Sequence, residues 1–204
     1  MTRTLLRFVA ILGLICLVMG GGVAVLYGVW RDQIAGRERA ATQAAMLAVA
    51  PEGAQVDAEK PIAGTAGQAD AVYAARDSSG KAVAYVAGGE GQGYSSVVKT
   101  IVGATDDGDG LKVLRVVVVS QSETPGLGAQ IAEHRSTYTL WQKLFGADEP
   151  EAFVNPFLDR FQEKRPDEVP NIQAITAATL TSNAVKAAVG QALDRIRAAR
   201  KGTP

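Results

Sequence analysis

The chain has almost none of the residues on which most metal-dependent and hydrolytic catalysis depends. Its 204 residues include one cysteine, Cys16, and one histidine, His134, which we interpret as a surface or helix residue. A disulfide framework, a zinc cluster, a multi-histidine metal site and a histidine-based triad are therefore excluded within one chain. The 21 Lys and Arg residues balance 21 Asp and Glu residues, so nothing predicts a nucleic-acid surface.

One long apolar stretch, Phe8 to Trp30, carries no charged residue. As a helix rising about 1.5 Å per residue, it is long enough for the roughly 30 Å hydrocarbon core of a bilayer. It is longer than the apolar region of a signal peptide and lacks a clear small-x-small cleavage site, which favours an uncleaved membrane anchor. Arginines lie on both sides of it, so the positive-inside rule does not settle its orientation.

The rest of the chain has a globular composition with room for one core domain. We predict an anchor over residues 1–30, a helix and linker over 31–69, and one domain over 70–204. The Ala-rich stretch after the anchor is typical of a helix that Pro51 stops. The Pro-, Gly- and Gln-containing residues 51–69 predict a loose linker or peripheral loop.

The middle of the domain predicts an antiparallel sheet of four strands. Each of two pairs of apolar runs flanks a short turn-forming segment, a pattern typical of β-hairpins. The predicted strands are Ala71–Ala75, Ala82–Val86, Ser96–Val102 and Leu111–Val119. With a C-terminal helix covering one face of the sheet, the fold class is α+β: an N-terminal transmembrane helix, then one domain with an antiparallel sheet packed by helices.

Two further segments suggest ligands but lack the required patterns. Asp106–Gly110 is acidic, yet it lacks the spacing and terminal Glu of a calcium loop, so we predict a solvated turn and no metal site. Gly88–Tyr94 is glycine-rich but does not open a helix and has no Gly-Lys-Ser/Thr after it, so we predict a tight inter-strand loop.

The stretch Ala174–Ser182 concentrates hydroxyl side chains before the amphipathic run Asn183–Arg200. Thr181 or Ser182 is the predicted N-cap of that helix. Because a helix start favours an anion, Thr179 stands where a phosphate would be held. On residues alone, a plain helix cap remains the alternative interpretation.

A second stretch, Ser122–Ala129, directly follows the apolar run Val116–Val119. Pro125-Gly126 predicts a turn, and Gly128 permits another non-standard backbone angle. We expect the chain to reverse there and to expose backbone N–H groups together with Glu123, Thr124 and Leu127. Such a surface suits a flat aromatic ring, although an ordinary loop remains the alternative.

Together the two stretches resemble motifs of the FMN-binding domain family. Thr176-Ala177-Ala178-Thr179 is similar to the attachment motif in which the last Thr carries FMN through a phosphoester, and Glu123–Gly128 to a second family motif. Between them, Trp141 and Phe145-Gly146 resemble the aromatic segment of the family. The resemblance covers roughly residues 88–195.

The sequence departs from the family pattern at two positions. Ala177 stands where Gly is usual, and a positive φ there would strain Ala by roughly 1–2 kcal/mol. Gln121 stands where members often place His, so a His-dependent pH response is not expected at that position.

The resemblance implies FMN bound covalently through Thr179, attached by a separate flavin transferase. It implies cofactor contacts from Thr176, Ala178, Leu180, Thr181, Glu123, Thr124, Gly126, Leu127 and Gly128, with no catalytic residue and no metal. It therefore implies a flavoprotein redox component and not a stand-alone enzyme, since the redox chemistry belongs to the cofactor.

Within that family the chain is most similar to the G subunit of Rnf-type complexes, which translocate ions and move electrons between ferredoxin and NAD. The expected partners are the other membrane subunits of such a complex. The resemblance implies a single-pass protein of the cytoplasmic membrane with its soluble domain on the extracytoplasmic side. The alternatives are the C-type subunit of a sodium-translocating NADH:quinone oxidoreductase, a non-redox assembly module, and a domain binding a free ligand.

Overall fold

A computed structural model describes residues 2–68, 70–108, 110–133, 135–136 and 153–202. His134, Trp141 and Phe145-Gly146, which the sequence singled out, lie outside the described residues. The chain divides into two units, Met1–Ala40 and Ala41–Pro204. We call the second of these the C-terminal unit.

The N-terminal helix α1 runs from Thr2 to Val49. The portion from Leu6 onward is long and apolar enough to cross a membrane, and its apolar side chains from Phe8 to Trp30 are exposed. The helix ends two residues before Pro51, as the sequence predicts, because the residue before a proline disfavours helical angles.

The C-terminal unit is built on one antiparallel sheet whose strands follow each other in chain order. Its strands are β1 (Gln55–Val56), β2 (Val72–Arg76), β3 (Ala82–Gln92), β4 (Val97–Asp106) and β5 (Leu111–Ser120). The two predicted hairpins are confirmed. We did not predict β1, which lies within the segment predicted to be a loose linker and pairs with β2.

Shorter elements follow the sheet and lead to the last helix. They are a 3-10 helix at Gly128–Ile131, strands β6 (Arg135–Ser136) and β7 (Phe153–Val154), 3-10 helices at Leu158–Phe161 and Val169–Asn171, and helix α2 (Thr179–Gly202). Strands β6 and β7 pair with each other in an antiparallel fashion.

Each face of the sheet has its own apolar core. On one face, α2 buries Val185, Val189, Leu193 and Ile196, the predicted apolar stripe, against the sheet. On the other face, Ala45, Met46 and Val49 at the end of α1 pack with Tyr73, Val86 and Ile101. The C-terminal unit therefore consists of three layers, and α2 lies directly on the sheet.

The prediction of a tight loop at Gly88–Tyr94 is wrong, because β3 continues to Gln92 and only the residues after it turn. Glycines are required there by close packing of the helix. A Cβ built on Gly89 would overlap the carbonyl oxygen of Ala188, and one on Gly91 would overlap that of Ala184. The glycine-rich pattern thus marks a strand that α2 approaches closely.

The acidic turn between β4 and β5 is held by ion pairs. Asp106 pairs with Arg200 of α2, Asp107 pairs with Lys112, and the Gly108 N–H donates to Asp106 Oδ1 at 3.1 Å. Part of this charge therefore ties the hairpin to the end of α2, although we predicted a turn whose acidic side chains are simply solvated.

Candidate cofactor site

The predicted attachment residue Thr179 is the first residue of α2, and its side chain is exposed. Just before it, the Ala178 N–H donates to the Ile175 carbonyl at 3.1 Å, which closes a turn. The third residue of that turn is Ala177, with φ of 64°. This is the left-handed region that favours glycine, so Ala177 adopts the conformation for which the family's usual glycine is suited.

The predicted helix caps lie inside the helix instead. The Ser182 N–H donates to the Ala178 carbonyl at 2.9 Å, so the first helical turn already contains Thr181 and Ser182. The Ser182 hydroxyl accepts the Ile175 N–H at 3.0 Å, and both side chains are buried. The N-cap position is Ala178, so the N-cap prediction is wrong by three or four residues. The Thr181 hydroxyl donates to Glu123 and the Ser182 hydroxyl accepts from Ile175, so neither bonds to a free N–H of the first helical turn.

The difference matters for the chemistry of the segment. The N–H groups at the start of an α-helix have no acceptor within the helix, and they carry the positive end of its dipole. Because α2 begins at Thr179, that position coincides with the predicted attachment hydroxyl. Of the four hydroxyls in the segment, Thr176 and Thr179 are exposed, whereas Thr181 and Ser182 are buried and hydrogen-bonded.

Glu123 is the hydrogen-bonding centre of the site, although we predicted that it would be exposed. Only 6% of its surface is accessible. Its Oε2 accepts the Thr181 hydroxyl at 2.6 Å and the Tyr94 N–H at 3.1 Å. Its Oε1 accepts the N–H groups of Ser95 and Ser96 at 3.0 and 2.9 Å and the Ser96 hydroxyl at 3.1 Å. One carboxylate thus joins the β3–β4 turn to the first turn of α2.

These bonds also control the ionisation of Glu123. Burial by itself raises the pKa of the carboxyl, but hydrogen bonds from Thr181, Ser95 and Ser96 outweigh it and lower the pKa from 4.5 to about 2. The side chain is consequently an acceptor-only carboxylate throughout the neutral range, with its oxygens turned to protein donors.

Two glycines allow this carboxylate to be enclosed. A Cβ on Gly93 would lie 2.6 Å from Glu123 Oε1, and one on Gly128 would lie 2.7 Å from the Thr181 hydroxyl and 2.9 Å from Glu123 Oε2. Gly128 has no positive φ, so our expectation of a non-standard angle there is wrong, and close packing is the reason for the glycine. Gly93 lies within the segment that we predicted as a loop, but its close packing on the Glu123 carboxylate was not predicted.

The loop after Glu123 has the predicted turn. The Leu127 N–H donates to the Thr124 carbonyl at 3.2 Å, with Pro125 second and Gly126, at φ of 74°, third in the turn. This arrangement suits a type II turn. Thr124 and Leu127 are exposed, as predicted. Upstream, Gln121 Oε1 accepts the Glu123 N–H at 2.6 Å, so the residue at the family's frequent His position braces the loop.

A cleft of about 360 Å³ lies beside the loop and the attachment segment. Asn155 is buried beneath it and donates from Nδ2 to the carbonyls of Ile131 and Glu133 at 3.0 and 2.9 Å, while its Oδ1 accepts the Phe157 N–H at 3.1 Å. We missed this residue, although Asn155-Pro156 is a pair that favours turns. The cleft is lined by Gln130, Glu133, Asn155, Pro156, Phe157, Arg160, Gln173, Ala174, Ile175 and Thr176.

The structure therefore brings segments of the predicted site together, and the predicted residues divide into an exposed group and a buried group. Thr176, Thr179, Leu180, Thr124, Gly126 and Leu127 are exposed, while Ala178, Thr181, Glu123 and Gly128 are buried. An exposed hydroxyl at the start of a long helix, followed directly by the exposed apolar side chain of Leu180, fits a phosphate bearing a flat aromatic group. No cluster of metal-ligating side chains occurs among the residues that the structure describes.

The family of the chain follows from a comparison with known domains. The model of the FMN-binding domain matches residues 93–194, which include the β3–β4 turn, the Glu123 loop and the attachment segment. This chain belongs to the FMN-binding domain family.

Two curated relatives are G subunits of membrane oxidoreductase complexes. The chain is 32% identical over 133 residues to the G subunit of a proton-translocating ferredoxin:NAD(+) oxidoreductase complex from Clostridium ljungdahlii, covering 61% of this chain and 58% of that protein. It is 32% identical over 145 residues to the G subunit of an ion-translocating oxidoreductase complex from Pseudomonas aeruginosa, covering 67% of this chain and 66% of that protein. The matches thus span less than two thirds of the length of these relatives.

Among solved structures, the chain is similar to the crystal structure of Shewanella oneidensis NqrC. The match has 22% sequence identity and a TM-score of 0.40, and it covers 71% of this chain and 66% of that one.

Proposed function

We propose that this chain is an electron-transfer subunit that carries FMN covalently on Thr179, within a membrane complex of the ion-translocating ferredoxin:NAD type. The observation that supports the attachment site is the contrast within one segment: Thr179 is exposed at the start of α2, while Thr181 and Ser182 are buried and hydrogen-bonded. Thr176 is exposed too, but it lies before the helix and not at its dipole end.

The residues of the chain have separate tasks in this proposal. Thr179 supplies the hydroxyl oxygen for the phosphoester, and the N–H groups at the start of α2 stabilise the phosphate charge. Glu123 holds the first turn of α2 against the β3–β4 turn through its bonds to Thr181 and Ser95. FMN, when bound, supplies the redox chemistry, and the protein tunes it through nearby charge and hydrogen bonds.

Attachment of the flavin is assigned to a separate flavin transferase. Ala177 bears on the efficiency of this step, because its φ of 64° is one that Ala adopts with strain. Coexpression of the full chain with a flavin transferase, followed by denaturing electrophoresis, tests covalent attachment. Flavin fluorescence that stays with the protein band supports the proposal. A colourless protein of unmodified mass would favour an assembly module, and flavin released on denaturation would favour a free ligand.

The complex is proposed from the curated relatives, both of which are G subunits of oxidoreductase complexes. Affinity purification of the tagged full chain from its native membranes tests the assignment. We expect the other membrane subunits of a ferredoxin:NAD oxidoreductase to purify with it. Recovery of the subunits of an NADH:quinone oxidoreductase would support the related C-type alternative, and recovery of neither set would contradict both.

The membrane arrangement completes the proposal. Helix α1, the one candidate span among the described residues, is the anchor, with Phe8 to Trp30 in the bilayer. On the resemblance to the family, the C-terminal unit lies on the extracytoplasmic side. A C-terminal fusion to alkaline phosphatase, which is active only outside the cytoplasm, is expected to be active. An inactive phosphatase fusion, together with fluorescence from a C-terminal green fluorescent protein fusion, would contradict this orientation and place the C-terminal unit in the cytoplasm.

A further inference from the structure

A second cavity, of about 180 Å³, lies within the core on the face of the sheet opposite α2. Its lining residues come from the end of α1, the segment before β2, and strands β2 to β5. They include no member of the predicted cofactor site. Because protein interiors contain few voids larger than a water molecule, a cavity of this size needs an explanation.

The walls of this cavity are largely apolar. Met46, Ala71 and Ile101, each less than one tenth exposed, line it together with the half-buried Val119. An engineered apolar cavity of about 150 Å³ holds one benzene ring. The volume here therefore suits a ligand built on one six-membered ring.

The charged residues of the lining lie at the surface of the protein. Glu90 and Lys99 are exposed, and Lys99 Nζ lies 3.4 Å from Glu90 Oε1. The two opposite charges offset each other, so this edge of the cavity favours neither an anion nor a cation. Since burial of an unpaired charge is costly, the apolar interior suits a neutral ligand.

Tyr73 provides the polar feature of the wall. Only 2% of its surface is accessible, and its phenol oxygen accepts the Gly67 N–H at 3.1 Å. Both partners of this bond line the cavity, which places the phenol oxygen at its wall. A phenol can also donate, but no group in the described part of the chain accepts the Tyr73 hydroxyl hydrogen. The other buried hydroxyl of the wall, that of Thr100, donates to the Gly89 carbonyl at 3.4 Å.

We propose that this cavity binds a small neutral ring compound that bears a carbonyl group, a class that includes aromatic ketones and quinones. The ring packs against Met46 and Ile101, and the carbonyl oxygen accepts the Tyr73 hydroxyl. Such a ligand matches the volume, avoids buried charge and gives an acceptor to a buried donor that otherwise lacks one. The inference goes beyond the proposed function and does not rest on it.

Met46 is a suitable reporter for this cavity, because the sequence contains only two other methionines, Met1 and Met19. Met19 lies in the exposed apolar stretch of α1. The full chain, with carbon-13 in its methionine methyl groups, is titrated in detergent with acetophenone and followed by NMR. We expect the Met46 methyl resonance to shift saturably, with a Kd on the order of 1 mM. The Met19 resonance should shift only in linear proportion to the ketone that dissolves in the micelle.

Tyr73→Phe removes the hydroxyl and keeps the ring. We expect it to weaken acetophenone binding about fivefold, the effect of losing one hydrogen bond. Ethylbenzene has the same shape without the carbonyl oxygen, so its affinity should be equal in wild type and Tyr73→Phe. Tyr85→Phe makes the same chemical change outside the cavity and should leave both affinities unchanged. Circular dichroism of each sample verifies that the variants are folded.

A Met46 shift that stays linear, like that of Met19, would overturn the inference and leave the cavity to water. Equal acetophenone affinities of wild type and Tyr73→Phe would also overturn it, because the carbonyl would then not be bound to the phenol. If Tyr73→Phe does not fold, Gln68→Trp replaces it, since this change adds a large ring at an exposed lining residue. Weaker acetophenone binding in Gln68→Trp would support the inference, and unchanged binding would overturn it. Absence of covalent flavin would overturn the proposed function alone.

Discussion

Glu123 and Thr179 belong to the two motifs that first suggested a flavin protein, but their surroundings are opposite. Glu123 is 6% accessible and accepts five hydrogen bonds from protein groups. Thr179 is exposed at the end of a helix. The comparison shows that residues of the two motifs have different roles. Buried residues such as Glu123 hold the segments of the site together, and exposed residues such as Thr179 provide the groups proposed to react.

The same division occurs over only two residues within the attachment segment. Thr181 donates its hydroxyl to Glu123 inside the protein, while Thr179 is exposed to solvent. Substitutions on the buried side should therefore change the free energy of unfolding, and substitutions on the exposed side should change attachment of the flavin. The predictions below test this separation, beginning with the largest expected effect.

Among the buried positions, we expect the largest loss of stability from a methyl group added between α2 and β3. Because a Cβ on Gly89 would overlap the Ala188 carbonyl oxygen, Gly89→Ala must push the helix away from the sheet. We expect the free energy of unfolding to fall by on the order of 3 kcal/mol. Urea unfolding of the full chain in detergent, followed by circular dichroism, measures this change.

Gly190→Ala, in the same helix, is the matched control. A Cβ there meets no atom within 4 Å, so the helix should gain about 0.5–1 kcal/mol from the better helix former. Equal and small effects of the two substitutions would show that α2 is not held closely on β3.

Removal of the central carboxylate is the next largest change. Glu123→Ala leaves the buried Thr181 hydroxyl and the N–H groups of the β3–β4 turn without their acceptor. An unpaired buried donor costs about 1–3 kcal/mol, so we expect a loss of about 2–3 kcal/mol. Glu90→Ala, which removes only a surface pair with Lys99, should cost less than about 1 kcal/mol. Similar losses of unfolding free energy in the two variants would contradict the conclusion that Glu123 is the hydrogen-bonding centre of the site.

The pH dependence of stability provides a milder test of the same residue. The folded-state pKa of Glu123, about 2, lies below its ordinary value of 4.5. A lowered pKa stabilises the folded state above the unfolded-state value, and this contribution is lost as pH falls from about 4.5 towards about 2. The midpoint of thermal unfolding, measured across this range, should therefore decline more steeply in wild type than in Glu123→Gln. Parallel curves would contradict the depressed pKa.

The smallest expected effect concerns Ala177, on the exposed side. Ala177→Gly removes the strain of an alanine at φ of 64° and should stabilise the protein by about 1 kcal/mol. It should also increase the fraction of chains that a flavin transferase modifies, measured as intact mass after a fixed time. Ala174→Gly, at a position without a positive φ, should produce neither gain. A decrease of stability in Ala177→Gly would show that the turn does not strain Ala177.

The sequence predicted the parts of this site that depend on local pattern. The two hairpins of apolar runs, the Pro125-Gly126 turn and the apolar stripe of α2 all follow from short-range spacing, and the structure confirms them. The conditional expectation for Ala177 is also met, because its φ is positive. The attachment of FMN to Thr179 and the ring contacts stay predictions.

What the sequence could not provide was contact between segments far apart in the chain. The glycines of β3 looked like a loop because the helix that requires them lies about a hundred residues later, as the bond from Arg195 to the Gly88 carbonyl illustrates. We predicted that Glu123 would be exposed because its hydrogen-bond donors are far from it in the sequence, with Tyr94 29 residues before it and Thr181 58 residues after it. Thr181 and Ser182 looked like caps because hydroxyls before an apolar run usually cap a helix. Here the Thr181 hydroxyl donates to Glu123 and the Ser182 hydroxyl accepts from Ile175 instead.

The central claim is that the exposed Thr179 carries the flavin, whereas the buried Thr181 only supports the structure of the site. Mass spectrometry of the peptide spanning residues 165–186, from Thr179→Ala and Thr181→Ala chains coexpressed with a flavin transferase, tests this most directly. We predict that Thr181→Ala keeps the FMN-phosphate mass on Thr179 despite a lower free energy of unfolding, and that Thr179→Ala loses the mass with stability within about 0.5 kcal/mol of wild type. Retention of the FMN-phosphate mass in Thr179→Ala would contradict the account.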